Sequence, residues 1–535
     1  MSSKLSFGMY NGTVPSAEDW SGYIAHAQTF IPENKRLFLL LLVNLPVIAI
    51  LFNVLPQVII PRNPSDPPVV FHWLPFVGSA IQYGNNPLQF FLECREKGNN
   101  FVLGGKSTVF SAEDAYKHVT TPVFGKDVVY DIPNEKFMEQ KKFVKVGLSM
   151  DNLRAYVGMI EDEVDDFLAN DPAFEAFQKN EAGKEWSTFD VVKVLQEITI
   201  LTAAKTLQGK EVRGNMDKNF AVTYNDLDGG FTPLNFMFPH LPLESYRKRD
   251  RAQKKMSDFY VNIIKKRKSG GSDHEQDMIA TLMAQRYRSG EPVKDHEVAH
   301  MMITLLMAGQ HTSSATGAWG LLHIAANPKI GEALYQEQVK HFSTPDGKLR
   351  SMTYEELRAL PMMDAVIRET LRMHPPIHSI MRYVRDDVAI PGSLAAPSKD
   401  RTYIVPKGNY VLASPIMSQM DPKVWKDADK FEPYRWADPE GVAAQAYKTY
   451  VDENGEKVDY GFGAVSKGTE SPYQPFGAGK HRCIGEQFAY LQLGTILATI
   501  IRHLELQIDK VPEENYHTMI TMPKTPRSIA YRRRV

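Results

Sequence analysis

The chain has 535 residues, 43% hydrophobic and 23% charged, with a formal net charge of −1. This is the composition of an ordinary globular protein, and it lacks the basic excess that binding nucleic acid requires. Its two cysteines, Cys94 and Cys483, are too few for a disulfide framework or for structural zinc, which takes about four N or S ligands, and they suit a reducing compartment.

Leu37 to Leu55, LFLLLLVNLPVIAILFNVL, is a run of 19 residues without a charge. As a helix it would span most of a hydrocarbon core of roughly 30 Å, so it reads as a membrane anchor, with a buried core helix as the other reading. Lys35 and Arg36 before it and Arg62 after it weakly favour a cytosolic N-terminus. The proline-rich stretch from Pro56 to Pro75 predicts a stiff, extended spacer over residues 56–76. No long linker or internal repeat follows, which makes residues 77–535 one large, mainly helical unit.

Helical periodicity dominates downstream. The longest predicted helix runs from His296 to Ala326, with Asp295 as N-cap and Asn327-Pro328 as stop. At its middle, Ala308-Gly309 removes side-chain bulk, with Thr312 on the same face. That pattern suits either something pressing on the backbone or a packing glycine with Thr312 bonded back to a carbonyl. A further helix starts at Pro361 and ends at His374-Pro375, placing Glu369 and Arg372 one turn apart. Arg435, in FEPYRW, is placed to supply a second fork to a buried Glu369. Arg401 to Ser414 predicts a hairpin around Pro406-Lys407-Gly408.

The stretch PFGAGKHRCIGEQFAY, Pro475 to Tyr490, surrounds one cysteine with glycines. It is not a phosphate-binding loop, because Gln474 stands at the first glycine position and His481 where Ser or Thr would hold Mg²⁺. A helix from Gly485 to His503 would put Cys483 just before a helix N-terminus, where a thiolate is favoured. Three readings stay open for that sulfur: inert core, nucleophile, or axial ligand to a cofactor metal.

Four motifs in order carry a resemblance: A-G-x-x-T at Ala308 to Thr312, E-x-x-R at Glu369 to Arg372, P-x-R at Pro433 to Arg435, and F-x-x-G-x-x-x-C-x-G at Phe476 to Gly485. The set resembles the cytochrome P-450 superfamily. GQHT with His311 in place of the usual acid, Tyr116 to Asp131, Met138 to Lys145 and Leu371 to Arg382 are similar to the sterol 14α-demethylases, and the segment Tyr447 to Tyr473 has a fungal look.

The resemblance implies a mainly α fold with small β-sheets, the cytochrome P-450 fold, preceded by an N-terminal transmembrane helix. It implies haem b ligated by Cys483, with Phe476 and Gly477 in the cofactor loop, and three oxidations of the 14α-methyl group of lanosterol or 24-methylene-dihydrolanosterol. These use O₂ and NADPH electrons from a reductase. Thr312 and His311 would organise proton delivery; Tyr116, Tyr130, Lys141, Arg382 and His481 would bind the haem propionates. Phe124, Tyr130, Met307, Gly309, His378, Ser379, Ile380 and Met519 would line the sterol and azole pocket, and Glu369, Arg372 and Arg435 would be structural. Lys142, Lys145 and Lys480 would face the reductase, and Phe231 to Leu243 would dip into the bilayer.

The family arrangement places residues 1–36 in the lumen of the endoplasmic reticulum and the catalytic domain in the cytosol, against the weak charge bias. The chain passes from Lys97 directly to Gly98, where family members carry a two-stranded hairpin. If that loss abolishes turnover, the remaining role is a non-catalytic haem-binding membrane protein.

Overall fold

The structure is a computed structural model that describes residues 35–60, 69–75, 78–94, 108–179, 185–270, 277–390, 403–438, 440–443 and 471–535, and, for residues 35–43, the backbone only. Residues 1–34 of the expected lumenal segment 1–36, the Lys97-Gly98 junction and most of Tyr447 to Tyr473 therefore lie outside the described residues. The chain divides into two compact units, 1–82 and 83–535.

In the first unit, helix α1 (Lys35–Ile59) contains both Pro46 and Pro56. The spacer expected to be extended from Pro56 is thus helical as far as Ile59. Pro56 sits in the last turns, where it forfeits one donor while its own carbonyl still accepts from Ile60 N at 3.3 Å. Asn53 Nδ2 and Gln57 Nε2 donate to His72 O, each at 3.0 Å, and fold the following segment back on the helix. Leu51, Phe52, Leu55, Val58 and Ile59 are exposed. Among the described residues no helix is long and apolar enough to cross a membrane.

Among the helices of the second unit, those that position the site and its core are α2 (Ala112–Phe124), α3 (Asn134–Gly147), α4 (Met150–Asn170), α5 (Val191–Ala203), α6 (Lys218–Asp228), α7 (Glu244–Lys268), α8 (Asp295–Ala326), α9 (Pro361–Met373) and α10 (Glu486–His503). Side-chain caps define several starts: Ser111 accepts from Asp114 N, Asp190 from Lys193 N and Asp217 from Phe220 N. In α8 the expected cap, Asp295, is instead the first helical residue. Glu297 Oε2 reaches back to Lys294 N at 2.9 Å. Helix α9 begins at Pro361 and stops before His374-Pro375, as its sequence predicts.

Helix α8 is apolar nearly all round, and such a helix belongs in an interior. Its C-terminal half packs with α4, α5, α9 and α10 around Leu195, Trp319, Leu321, Val366 and Leu497; its N-terminal half joins α6 and α7 around Tyr260, Ile264, Met302 and Ile303. Each fully buried Leu or Ile of this kind contributes about 1.5–3 kcal/mol. Where α5 approaches α8, a Cβ on Gly317 would lie 2.8 Å from Leu195 Cδ1, so any larger residue there makes that leucine shift.

The sheets are small, as expected. Strands β1 (Phe110–Ser111), β3 (Ile380–Val384) and β6 (Tyr410–Ala413) form one, and β2 (Ser187–Asp190), β10 (Ser528–Arg533) and β7 (Leu504–Gln507) another. Pairs β4 (Val388–Ile390) with β5 (Tyr403–Val405) and β8 (Glu514–Asn515) with β9 (Met522–Pro523) complete the described strands. The predicted hairpin is corrected here: the turn exists, with Gly408 at φ +90°, but β5 pairs with β4 and β6 with β3. Gly408 N donates to Val384 O at 2.9 Å, so β3 holds the turn alongside its own bond from Asn409 Nδ2 to Pro406 O at 3.0 Å.

Candidate active site

The loop before α10 folds on its own backbone. Cys483 N donates to Phe476 O at 2.9 Å and Gly477 N to Gln474 O at 3.0 Å. Gly477 and Gly479 have φ of +67° and +66°, conformations that disfavour any side chain, which is why glycine stands there. Gly485 is different: a Cβ would meet Cys483 Sγ at 3.8 Å, an ordinary contact.

Cys483 presents accessible surface, while the protein atoms packed around it desolvate its thiol. Burial pushes its thiol up, against the opposing pull of Gly485 N–H and of the Lys141 and Arg482 charges. The Gly485 N–H at the helix N-terminus does favour the thiolate, as expected, and burial opposes it. Arg482 is occupied by Glu486 at 3.0 Å. A cation bound to the sulfur would reverse the balance, since a coordinating thiol is deprotonated outright.

Helix α8 has an opening in its otherwise buried middle. Ala308 is exposed although Met307 and Gln310 beside it are buried, and Thr312 is half-buried one turn on. Thr312 Oγ1 donates to Ala308 O at 2.8 Å, so the back-bonded alternative describes its ground state. A Cβ at Gly309 would meet Leu207 and Ala203 at 3.8 and 3.9 Å, an ordinary contact. Met307, 2% exposed, belongs to the core cluster.

Cations and phenols gather around the loop. Lys141 is buried, and its Nζ donates to Lys480 O at 2.9 Å and Arg482 O at 2.7 Å; burial lowers its pKa to about 8. Tyr116 and Tyr130 stack with ring centroids 5.3 Å apart, and burial raises both phenols, Tyr130 to about 12. Tyr116 OH accepts from Met381 N at 2.8 Å. Arg382 is 4% exposed, donates to Met381 O at 2.8 Å, and has no carboxylate within salt-bridge distance among the described residues. His481 stacks on Phe137, and burial, reinforced by Arg382, Lys141 and Lys480, lowers its pKa to about 3. Its Nδ1 is buried without a partner.

A buried imidazole nitrogen without a partner needs an acceptor, and a buried guanidinium with no carboxylate beside it favours an anion, so one anionic group suits both. The residue set therefore fits a haem: a cysteine thiol in a bent loop, an opening on the longest described helix, and cations and phenols beside the loop for the propionates.

Three groupings complete the surroundings. His311 Nε2 lies 2.9 Å from Asp228 Oδ1 and 3.2 Å from Tyr224 OH, which donates to Gln310 Oε1 at 3.1 Å. Asp228 and Tyr224 have no motif of their own; only their i, i+4 spacing on α6 marks them as sharing a face. His378 Nδ1 is 2.9 Å from Ser379 Oγ, with Tyr516 edge-on at 5.5 Å, and burial lowers its pKa to about 4. Phe124 packs against Phe231 at 5.2 Å, and Ile380 Cδ1 lies 3.6 Å from where a Gly477 Cβ would sit. Met519 is half-buried in the loop before β9. A separate cavity of about 370 Å³, lined by Trp186, Ile324, Leu504 and Arg534 among others, includes none of these residues.

Glu369 and Arg372 are both 0% exposed and joined by two bonds of 2.9 Å. Arg435 Nε, Trp436 Nε1 and Glu432 N also donate to Glu369, at 3.0, 2.9 and 3.0 Å. Arg372 reaches on to Gln419 O at 2.9 Å. The carboxylate and its forks are thus satisfied as the sequence predicts, and they tie α9 to the segment that leads into the cysteine loop.

A mainly helical fold, a free cysteine in a glycine-bent loop before a helix, and an opening in the longest described helix make up the frame of a haem-thiolate protein. The chain belongs to the cytochrome P450 family, whose model matches residues 67–531, and members of that family use haem, O₂ and electrons from a reductase. Curated relatives include lanosterol 14-alpha demethylase of Mycosarcoma maydis, 49% identical over 90% of this chain and 91% of that one. The lanosterol 14-alpha demethylase erg11 of Schizosaccharomyces pombe is 46% identical over 88% and 94%, and the sterol 14-alpha demethylase cyp51A of Aspergillus fumigatus 46% over 91% and 96%. Among solved structures, retinoic acid-bound cyanobacterial CYP120A1 shares the fold, with a TM-score of 0.69 at 20% identity over 88% of this chain and 100% of that one.

Proposed function

We propose that this protein is a sterol 14α-demethylase. It removes the 14α-methyl group of lanosterol or 24-methylene-dihydrolanosterol in three O₂- and NADPH-dependent oxidations, releasing formate and leaving a double bond. The observation that carries this reading is identity of 43–49% to proteins of that name over most of the chain, with the motif residues intact.

Haem b supplies an iron that activates O₂, helped by electron donation from a thiolate. Cys483 is that ligand, and Tyr116, Tyr130, Lys141, Arg382 and His481 hold the propionates. The chain's own task is then to order protons and to seat an apolar substrate. Asp228, 40% exposed, meets solvent on one side and His311 Nε2 on the other, so a proton at that nitrogen is shared inward from the surface. Thr312 spends its hydrogen on Ala308 O, which leaves its oxygen free to accept at the open face. Phe124, Tyr130, Met307, Gly309, His378, Ser379, Ile380 and Met519 supply the sterol and azole pocket.

The protein sits on the endoplasmic reticulum membrane through residues 37–55, catalytic domain in the cytosol. Exposed Leu234, Met237 and Phe238 support a second contact with lipid, and Lys142, Lys145 and Lys480 a basic face for the NADPH-cytochrome P-450 reductase. The test is reductase-dependent formate release from lanosterol, alongside the spectrum of the reduced protein under carbon monoxide. Cys483→Ala abolishes the thiolate band. A band that survives removes the ligand assignment, and a band without formate leaves a haem-binding protein that is not this enzyme.

A further inference from the structure

Glu113 and Asn134 belong to no recognised motif, yet they are wired to His481. Glu113 is a carboxylate 7% exposed and without a basic partner within salt-bridge distance among the described residues. Ser111 Oγ accepts from Asp114 N at 3.0 Å, which commits its hydrogen to Glu113 Oε2, also at 3.0 Å. Asn134 Nδ2, at the start of α3, lies 3.1 Å from Glu113 Oε1 and 3.2 Å from His481 Nε2.

Acceptor and donor roles in this chain are forced in sequence. A carboxylate cannot donate, so the amide must turn its NH₂, not its oxygen, to Glu113. The second hydrogen of that NH₂ then points at His481 Nε2, which has to be an acceptor. An imidazole that accepts at Nε2 carries its hydrogen on Nδ1. Nδ1 is the buried atom that lacks a partner, and the charged groups nearest the ring, Arg382, Lys141 and Lys480, are all donors.

We propose that Asn134, oriented by Glu113, is a positioning residue that fixes the tautomer of His481, so that Nδ1–H is presented as a hydrogen-bond donor to a carboxylate of the cofactor. The inference rests on the haem reading above and adds two residues to it. Asn134 touches the cofactor through His481 alone, which makes its effect conditional on that histidine.

The test is a double-mutant cycle on the full-length haem-loaded protein, read as the rate of haem transfer to apomyoglobin and as the haem midpoint potential. His481→Ala and Asn134→Ala each speed transfer on the order of tenfold, the scale of one hydrogen bond to a charged group, and move the potential in the same direction. The double variant is no faster than His481→Ala alone, because the two residues act as one. Additive effects overturn the proposal by giving Asn134 an independent structural role. Should Asn134→Ala not fold, Asn134→Asp is close to isosteric and offers Nε2 an acceptor, so it drives the hydrogen off Nδ1; unchanged transfer and potential in that variant overturn the proposal too. Purified protein without haem, or His481→Ala without effect, instead sinks the underlying cofactor reading, a result distinct from additivity.

Discussion

Replacing Arg372 with Met tests whether the buried Glu369 cluster holds the cysteine loop in place. The change removes both 2.9 Å bonds to Glu369 and the donor to Gln419 O, in a site that is 0% exposed. Breaking a buried pair costs about 3–5 kcal/mol, since the surviving charge stays out of water. Arg435→Met is milder, about 1.5–3 kcal/mol, because Glu369 keeps its bidentate partner and Arg435 lies at the rim with 13% exposure. With about 2.1 cal/mol/K of unfolding entropy per residue, a unit spanning 83–535 loses roughly 1 °C per kcal/mol. Arg372→Met therefore lowers the midpoint by about 3–5 °C and Arg435→Met by about 2–3 °C. Thermal loss of near-UV ellipticity, at matched haem content and heating rate, reads both. A larger drop for Arg435→Met than for Arg372→Met refutes the reasoning, as does a change under 1 °C for Arg372→Met.

Thr312→Ala raises NADPH consumption per formate released while leaving the thiolate spectrum intact; unchanged coupling removes the hydroxyl from proton delivery. Asp228→Asn keeps the contact to His311 without an ionisable group, and slows turnover at least about tenfold with little change in sterol binding. A rate equal to wild type shows that protons enter elsewhere. His378 has its folded pKa lowered to about 4, so the unfolded chain binds the proton first on acidification. Stability from this group is present above the ordinary histidine range and is lost as pH falls from about 6.5 toward 4. His378→Phe flattens the fall of the thermal midpoint across that window, and an identical pH profile excludes His378 as its source.

Much of the site was legible because its chemistry is local. The cysteine loop needs positive φ at Gly477 and Gly479, and the Glu369-Arg372 pair sits one helical turn apart. What escaped was partnership at distance. Asn134 and His481 are 347 positions apart, and the acidic partner of His311 comes from α6. The turn at Gly408 was read correctly while its strands were paired wrongly, since β propensity says that a segment is extended without saying which edge it joins. Gly309 was assigned to the pocket from its place in a motif; that a Cβ there would meet Leu207 and Ala203 came from the packing of α8 alone.

By itself the sequence determined which residue types were available and in what local geometry: one thiol in a glycine-bent loop, a long apolar helix interrupted at Ala308, a carboxylate with two arginine forks. These follow from periodicity and backbone sterics, which act over a few residues. Only the tertiary structure decided the ionisation and hydrogen-bonding state of those groups. Burial raises the Cys483 thiol and leaves His481 Nδ1 without a partner beside the buried Arg382. The cause is that desolvation and partner geometry are set by every chain segment that closes over a group, and those segments come from the whole length of the polypeptide.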